Sequence, residues 1–201
     1  FIVPKEFQGR FKGGKQPILK CIEYTDYTLR EYFKKISKEP WYKNTLFVFT
    51  ADHCSSDIIF EESRATPGLF SVPVFFFKPD NSLAGLEPEI IQQADIMPSI
   101  LGYLHYDKPY FAFGRDVFRE KTTPMAFNYR DAYNLFMDDY LLSFNGEKAV
   151  GLFRFKEDKM LTRDLSGSEK VVGSEMEKKI KAIIQQYNNR MIDNKLTANR
   201  Y

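Results

Sequence analysis

Apolar residues fall into stripes and short dense runs, and each predicts an element. Ile18, Ile22, Leu29, Phe33 and Ile36 recur on one helical face, predicting a helix over Ile18–Lys38. Thr25 and Asp26 interrupt the stripe. Lys34, Lys35 and Lys38 crowd the end where the helix dipole favours cations, and Pro40 ends it. Leu46–Phe49 is an unbroken apolar run, which predicts a strand buried on both faces. Val72–Phe77 predicts a second buried strand, with Pro73 marking an edge position or an irregular entry. Asp95 is expected to cap a helix running to about Leu104, with Ile96, Ile100, Leu101 and Leu104 inward and Pro98 in the first turn. From Met125 the pattern turns to β. Tyr140–Phe144 and Glu147–Phe155 flank Asn145-Gly146, a strong hairpin signal, and a third strand is expected around Met160–Thr162. Ser174-x-x-Glu177 reads as a capping box opening a helix with Met176, Ile180, Ile183, Ile184, Tyr187 and Met191 on one face. Asp193–Tyr201 is expected to fray. The fold class is α/β: buried strands with packing helices, then an antiparallel hairpin and a final helix.

Composition narrows this picture. The 201 residues are 43% hydrophobic and 16% aromatic, enough for one good core with a small subdomain. A net charge of +2 argues against a nucleic-acid partner held by bulk electrostatics. No apolar run approaches the roughly 20 residues that span a bilayer. The start lacks a basic segment followed by an apolar one, so no signal peptide is read there. The first residue is Phe1 rather than Met, and an excised or processed piece is expected. Cys21 and Cys54 form no spaced framework and are expected to be buried thiols, with a bridge between them left open. Gly13-Gly14-Lys15 lacks the preceding strand and trailing hydroxyl of a phosphate loop, so a solvated loop is expected.

Candidate chemistry gathers just past the first strand, in Thr45–Asp57 (TLFVFTADHCSSD). In open α/β sheets, ligands bind beyond the carboxyl ends of strands. Asp52 and His53 stand there side by side, a carboxylate and an imidazole suited to a divalent cation. The other reading is a polar loop in which Asp52 caps a turn and His53 is exposed. Two ligands supply only a fraction of the ~10–16 kcal/mol of a full structural zinc site, so more ligands are required. Cys54 beside His53 makes a poor nucleophile pair, because adjacent side chains rarely meet in the necessary hydrogen bond. His105 reads as a helix-end or surface residue rather than a ligand.

The order of these features resembles the sulfatase family of the alkaline-phosphatase superfamily, in its C-terminal part. The likeness is closest to membrane-anchored, lipoteichoic-acid-synthase-like phosphoglycerol transferases. Phe1-Ile2-Val3-Pro4 looks like the end of the family's His-x-Pro-Phe-x-x-Pro segment, and Tyr24–Lys35 like its YxDxxLxxFxxxLK helix, including Asp26. Asn44–His53 (NTLFVFTADH) is similar to the NTxxVxxxDH strand and metal turn. Val72-Pro73 resembles the start of VPxxxxxP, Ala94–Leu104 the DIxPTxL helix, and Phe113–Phe118 the FGxxLF loop. The resemblance covers about residues 1–120.

This resemblance implies an alkaline-phosphatase-like α/β/α fold. Residues 1–120 would be the C-terminal part of the catalytic core, and 121–201 a hairpin or meander plus helix packed on the same domain. Asp52 and His53 would bind a divalent metal, with Mn or Zn favoured by the imidazole and Ca or Mg also open. The nucleophile and the other ligands would lie upstream, so no catalytic residue is expected within this chain, which would be inactive alone. Partners would be a phosphoester or sulfate-ester substrate such as a lipid head group, together with the N-terminal half of the same domain. Nucleic acid is not expected. The segment would be periplasmic or extracellular, tethered through upstream membrane helices. Two departures stand out: Cys54 replaces a frequent Gly after Asp-His, and Arg64 is the nearest counterpart of a Lys often found in that loop. A non-catalytic α/β binding or scaffold domain is the alternative.

Overall fold

The computed structural model describes residues 2–55, 60–120 and 123–198. Ser56 and Asp57 of the candidate loop lie outside these residues, as does Phe1. The chain divides into two compact units, residues 1–64 with 71–86, and residues 65–70 with 87–201.

In the first unit, α1 spans Ile18–Ile36, close to the range its apolar stripe predicts. Phe33 is the anchor of that stripe. Its ring lies 5.3 Å from Phe47, 5.9 Å from Phe49 and 5.8 Å from Phe77. These rings belong to β1 (Phe47–Thr50) and β2 (Val74–Phe77), which pair antiparallel with Phe47 opposite Phe77 and Thr50 opposite Val74. The register puts Phe47, Phe49, Phe75 and Phe77 on the face that Phe33 touches. The expectation of two fully buried strands is corrected. Both are half-buried, because among the described residues the sheet has two strands, each an edge, and Phe75, beyond the rings that Phe33 meets, is 60% exposed. Pro73 directly precedes β2, where the missing N–H costs no ladder bond.

The second unit opens with α2 (Thr66–Phe70) and α3 (Ile96–Tyr103). Asp95 does not cap α3 with its side chain as expected. Its carboxylate reaches back to accept from Gln92 N at 3.0 Å, closing a capping box around the 3-10 turn Gln93–Asp95. It also accepts from Arg115 N at 2.8 Å, which binds the loop after α3 to the start of that helix. Ser99, fully buried, donates to Asp95 O at 2.6 Å and accepts from Val117 N at 3.1 Å. Gly114 is required here, since a Cβ would collide with the Ala94 carbonyl. Leu104 is exposed rather than inward, because the helix ends at Tyr103 and the buried positions are Pro98 and Ser99.

Four strands follow as an antiparallel meander: β3 (Met125–Tyr129), β4 (Tyr133–Met137), β5 (Tyr140–Phe144) and β6 (Ala149–Arg154). The Asn145-Gly146 hairpin joins β5 and β6. Asn145 Oδ1 accepts from Glu147 N and Lys148 N, both at 2.9 Å, and Gly146 takes φ +102°. Helix α4 (Lys170–Ile192) lays Met176 and Ile180 on Leu135, Met137, Leu142, Phe144 and Leu152. Two expectations are corrected here. Met160–Thr162 is a turn, with Leu161 at φ +56° and the Asp158 carboxylate accepting from Arg163 N at 2.7 Å. The α4 helix begins at Lys170, so Ser174 and Glu177 lie inside it rather than at its cap. Glu177 instead accepts from Ala149 N at 3.2 Å, joining α4 to the first residue of β6.

Candidate metal-binding turn

Strand β1 ends at Thr50, and the chain turns immediately after Ala51. The Asp52 Oδ1 accepts from His53 N at 2.9 Å, so the carboxylate shapes the turn that carries its neighbour. The imidazole Nδ1 sits 2.7 Å from Cys54 O. A carbonyl can only accept, so Nδ1 carries the proton, and in the neutral ring the Nε2 lone pair is available. That Nε2 lies 3.4 Å from Asp52 Oδ2. A carboxylate oxygen and a ring nitrogen therefore converge, and the backbone hydrogen bond at the other nitrogen is the kind of partner that fixes a ligating histidine. Both side chains are open to solvent, His53 at 78% and Asp52 at 87%. In donor type and mutual approach the pair suits a divalent cation.

The other candidates do not join it. Among the described residues, no group of three or more His, Cys, Asp or Glu side chains is gathered to hold a metal ion. Cys54 donates its thiol to Ser71 O at 2.9 Å, tying the turn to the approach of β2, and the imidazole meets Cys54 through the carbonyl oxygen. Cys21 and Cys54 form no disulfide and both are half-buried, so the expectation of buried thiols is corrected. Arg64 closes the 3-10 turn Glu61–Arg64 and is exposed.

His105 ends α3. It adopts φ +55°, with His105 N donating to Gly102 O and Tyr106 N to Leu101 O, the double closure of a left-handed helix end. Its Nδ1 accepts from Arg119 Nη2 at 2.9 Å, since a guanidinium can only donate. The Gly13-Gly14-Lys15 loop aims Gly13 N at Glu23 Oε1, 3.1 Å away, an anionic partner in place of a phosphate.

Sequence reading missed one polar assembly. Asp95, Ser99, Arg115 and Asp116 are buried together. Arg115 donates to Glu89 Oε2 at 3.0 Å and to Glu120 O at 3.1 Å, leaving its buried Nε without a partner. The signal was present in the Ala94–Leu104 and Phe113–Phe118 motifs, whose polar residues are those that interlock.

A family model described as Sulfatase matches residues 3–106. Among curated proteins none matches at a significant level. Solved structures do. A protein in the alkaline phosphatase superfamily from Vibrio parahaemolyticus superposes with a TM-score of 0.74 at 19% identity, covering 98% of this chain and 47% of that one. Ps i-CgsB superposes with a TM-score of 0.68 at 17% identity, covering 90% of this chain and 46% of its own. That protein has also been crystallised in complex with k-i-k-neocarrahexaose. At such identities these likenesses concern the fold, and the chain spans about half the length of each matched structure. The family match extends over the strand–turn that presents Asp52 and His53 and over the whole of the α3 motif, Ala94–Leu104. The chain belongs to the sulfatase family, with the fold of the C-terminal part of an alkaline-phosphatase-like domain.

Proposed function

We propose that this chain supplies two ligands, Asp52 and His53, to the metal centre of an enzyme that cleaves or transfers phosphate or sulfate esters. The observation that carries the reading is the approach of Asp52 Oδ2 to His53 Nε2 at 3.4 Å, past the carboxyl end of β1. The family is generally metal-dependent. A divalent ion bound there would neutralise charge on the transferring group and favour the ionised form of a hydroxyl nucleophile. The imidazole favours Mn or Zn over Ca or Mg. The chain's own residues present the ligands: the Asp52–His53 N bond sets the turn, and the Cys54 carbonyl fixes which ring nitrogen faces the ion. The remaining ligands and the nucleophile come from the rest of the protein, so this chain alone neither turns over esters nor holds metal tightly.

The favoured substrate is a phosphodiester of the phosphoglycerol kind, on a lipid or lipid-linked head group outside the cytoplasm. A diester carries less charge than a monoester, so one metal and fixed positive groups suffice. The support is the strand-and-turn resemblance to the phosphoglycerol-transferase branch together with the imidazole ligand.

The test uses the intact enzyme. Asp52→Ala and His53→Ala should each reduce bound Mn or Zn and lower kcat by more than about a hundredfold, the scale of losing a group that stabilises developing charge. Full metal content and turnover in both variants would refute the ligand assignment. Turnover of a phosphoglycerol lipid and an aryl sulfate should be compared at equal concentration with Mn. Sulfate release without phosphoglycerol release would refute the substrate preference alone.

A further inference from the structure

Arg10 is placed unlike most other cations of the first unit. It follows the 3-10 turn Lys5–Phe7, and its N–H donates to Phe7 O at 3.2 Å. The guanidinium lies 3.9 Å from the centre of the Tyr27 ring and 5.9 Å from the centres of Phe7 and Phe11. Those rings are locked together. Phe7 lies 5.2 Å from Tyr24 and 5.6 Å from Tyr27, while Phe11 lies 6.0 and 5.9 Å from the same two. The planar charge is thus held against an aromatic platform.

Among the described residues no carboxylate lies within salt-bridge range of it. Glu31 feels its field, and that carboxylate is held below its usual range first by its hydrogen bond to Lys34. Further along α1 the arginine and a lysine are ion-paired, Arg30 with Asp26 and Lys34 with Glu31. Around Arg10 they are not. Lys5, Lys12, Lys15 and Lys20 carry the same sign, and among the described residues none has an ion-pair partner. The acids nearby are Glu6, Glu23 and Glu31; Glu23 is engaged by Gly13 N and Glu31 by Lys34.

A guanidinium with its face on a ring and no carboxylate at its edge presents fixed N–H donors, the geometry that recognises an oxyanion through two parallel hydrogen bonds. We propose that residues 5–20 form an anion-docking surface, organised by Arg10, for a soluble polymer carrying phosphate or sulfate esters. The spread of cations along sixteen positions suits a repeating anion. Phe7 and Phe11, which a bilayer-seeking segment would offer to acyl chains, are committed to Tyr24 and Tyr27. The proposal takes from the enzymatic reading only the class of anion, and the surface itself does not involve Asp52 or His53.

Isothermal titration of the full chain in EDTA tests it, with dextran phosphate and dextran sulfate as probes. Binding is expected, weakening as salt is raised. Arg10→Ala should lower affinity about tenfold, the scale of one charge-assisted contact. Tyr27→Phe keeps the ring and should bind as wild type. Tyr27→Leu should fall to the Arg10→Ala level, with no further loss when the two are combined. Because Arg10 is exposed, its substitution leaves the helical circular dichroism unchanged and the comparison valid. Unaltered affinity in Arg10→Ala overturns the proposal. So does binding to phosphatidylglycerol vesicles without binding to either soluble polymer. Asp52→Ala and His53→Ala should bind like wild type, so failure of the metal assignment and failure of this surface are read separately.

Discussion

A methyl group at Gly114 would sit 2.6 Å from Asp95 N and closer still to the Ala94 carbonyl. Both obstacles are backbone, and Asp95 is itself pinned by Gln92 N and Arg115 N, so neither yields. Gly114→Ala is expected to cost about 2–4 kcal/mol, read as a fall in the urea midpoint at unchanged slope. Gly102→Ala meets a carboxylate of Asp116 instead. That side chain can rotate if it gives up Phe118 N, so the loss should be smaller. A single sequence could place Asp95 at the head of α3, but it could not tell a carboxylate that reaches forward from one that reaches back. The choice is made by Gln92 and by Arg115, twenty positions away. The Asp52–His53 pair was more legible, because its chemistry depends on adjacent residues and on the strand immediately before them. Which ring nitrogen faces outward was not legible, since that depends on the Cys54 carbonyl and on the turn that presents it.

At the scale of elements, α4 depends on its buried side chains and on one carboxylate. Met176 is fully buried and Ile180 nearly so, and truncating either to Ala should cost about 2–5 kcal/mol in the same urea experiment. Ser174→Ala should change stability by less than about 0.5 kcal/mol, because the hydroxyl lies inside the helix and caps nothing. Glu177 is different. Its hydrogen bond to Lys181 first, and then that from Ala149 N, hold its carboxyl below the usual range around 4.5. A lowered pKa in the folded state gives stability that is full above the unfolded value and is lost as pH falls through the folded one. Unfolding midpoints followed downward from pH 5 should therefore drop more steeply in wild type than in Glu177→Gln. Equal slopes would remove Glu177 from the coupling between α4 and β6. The helix itself was legible from its apolar period, whereas its start was not. Ser174-x-x-Glu177 satisfies the capping pattern by composition, while the residues that begin the helix, from Lys170, bear no cap at all. Met160–Thr162 misled for a similar reason: apolar neighbours suggest a strand, but the Asp158 carboxylate folds them into a turn.

For the molecule as a whole, stability and chemistry reside in different places. The buried apolar cluster belongs to the meander and α4, while Asp52 and His53 stand in solvent after a half-buried strand. Asp52→Ala and His53→Ala should therefore leave the unfolding free energy within about 0.5 kcal/mol of wild type while removing metal from the intact enzyme. The chain alone should show no turnover of nitrophenyl phosphate or nitrophenyl sulfate with Mn or Zn. Turnover that disappears in Asp52→Ala would show that the chain holds a complete site. A topology reporter placed after Tyr201 in the intact protein should report an extracytoplasmic location. No described helix is long and apolar enough to cross a membrane. The α/β class and the order of motifs could be read along the chain. The half-exposure of β1 and β2 could not, because burial depends on what covers a strand, and among the described residues these two pair only with each other.

The connectivity of the two sheets has a kinetic consequence. Strands β3 to β6 are joined in sequence by tight links, whereas β1 must find β2 across residues 51–73. Closing short loops is fast and costs little entropy, and sheets built from neighbours fold ahead of those built across long connections. During refolding, pulse-labelled amides of Leu135 and Leu142 should gain protection before those of Val48 and Phe76. The last part of the chain to become ordered would then be the strand that delivers Asp52 and His53, so ligand capture reports the end of folding rather than its beginning.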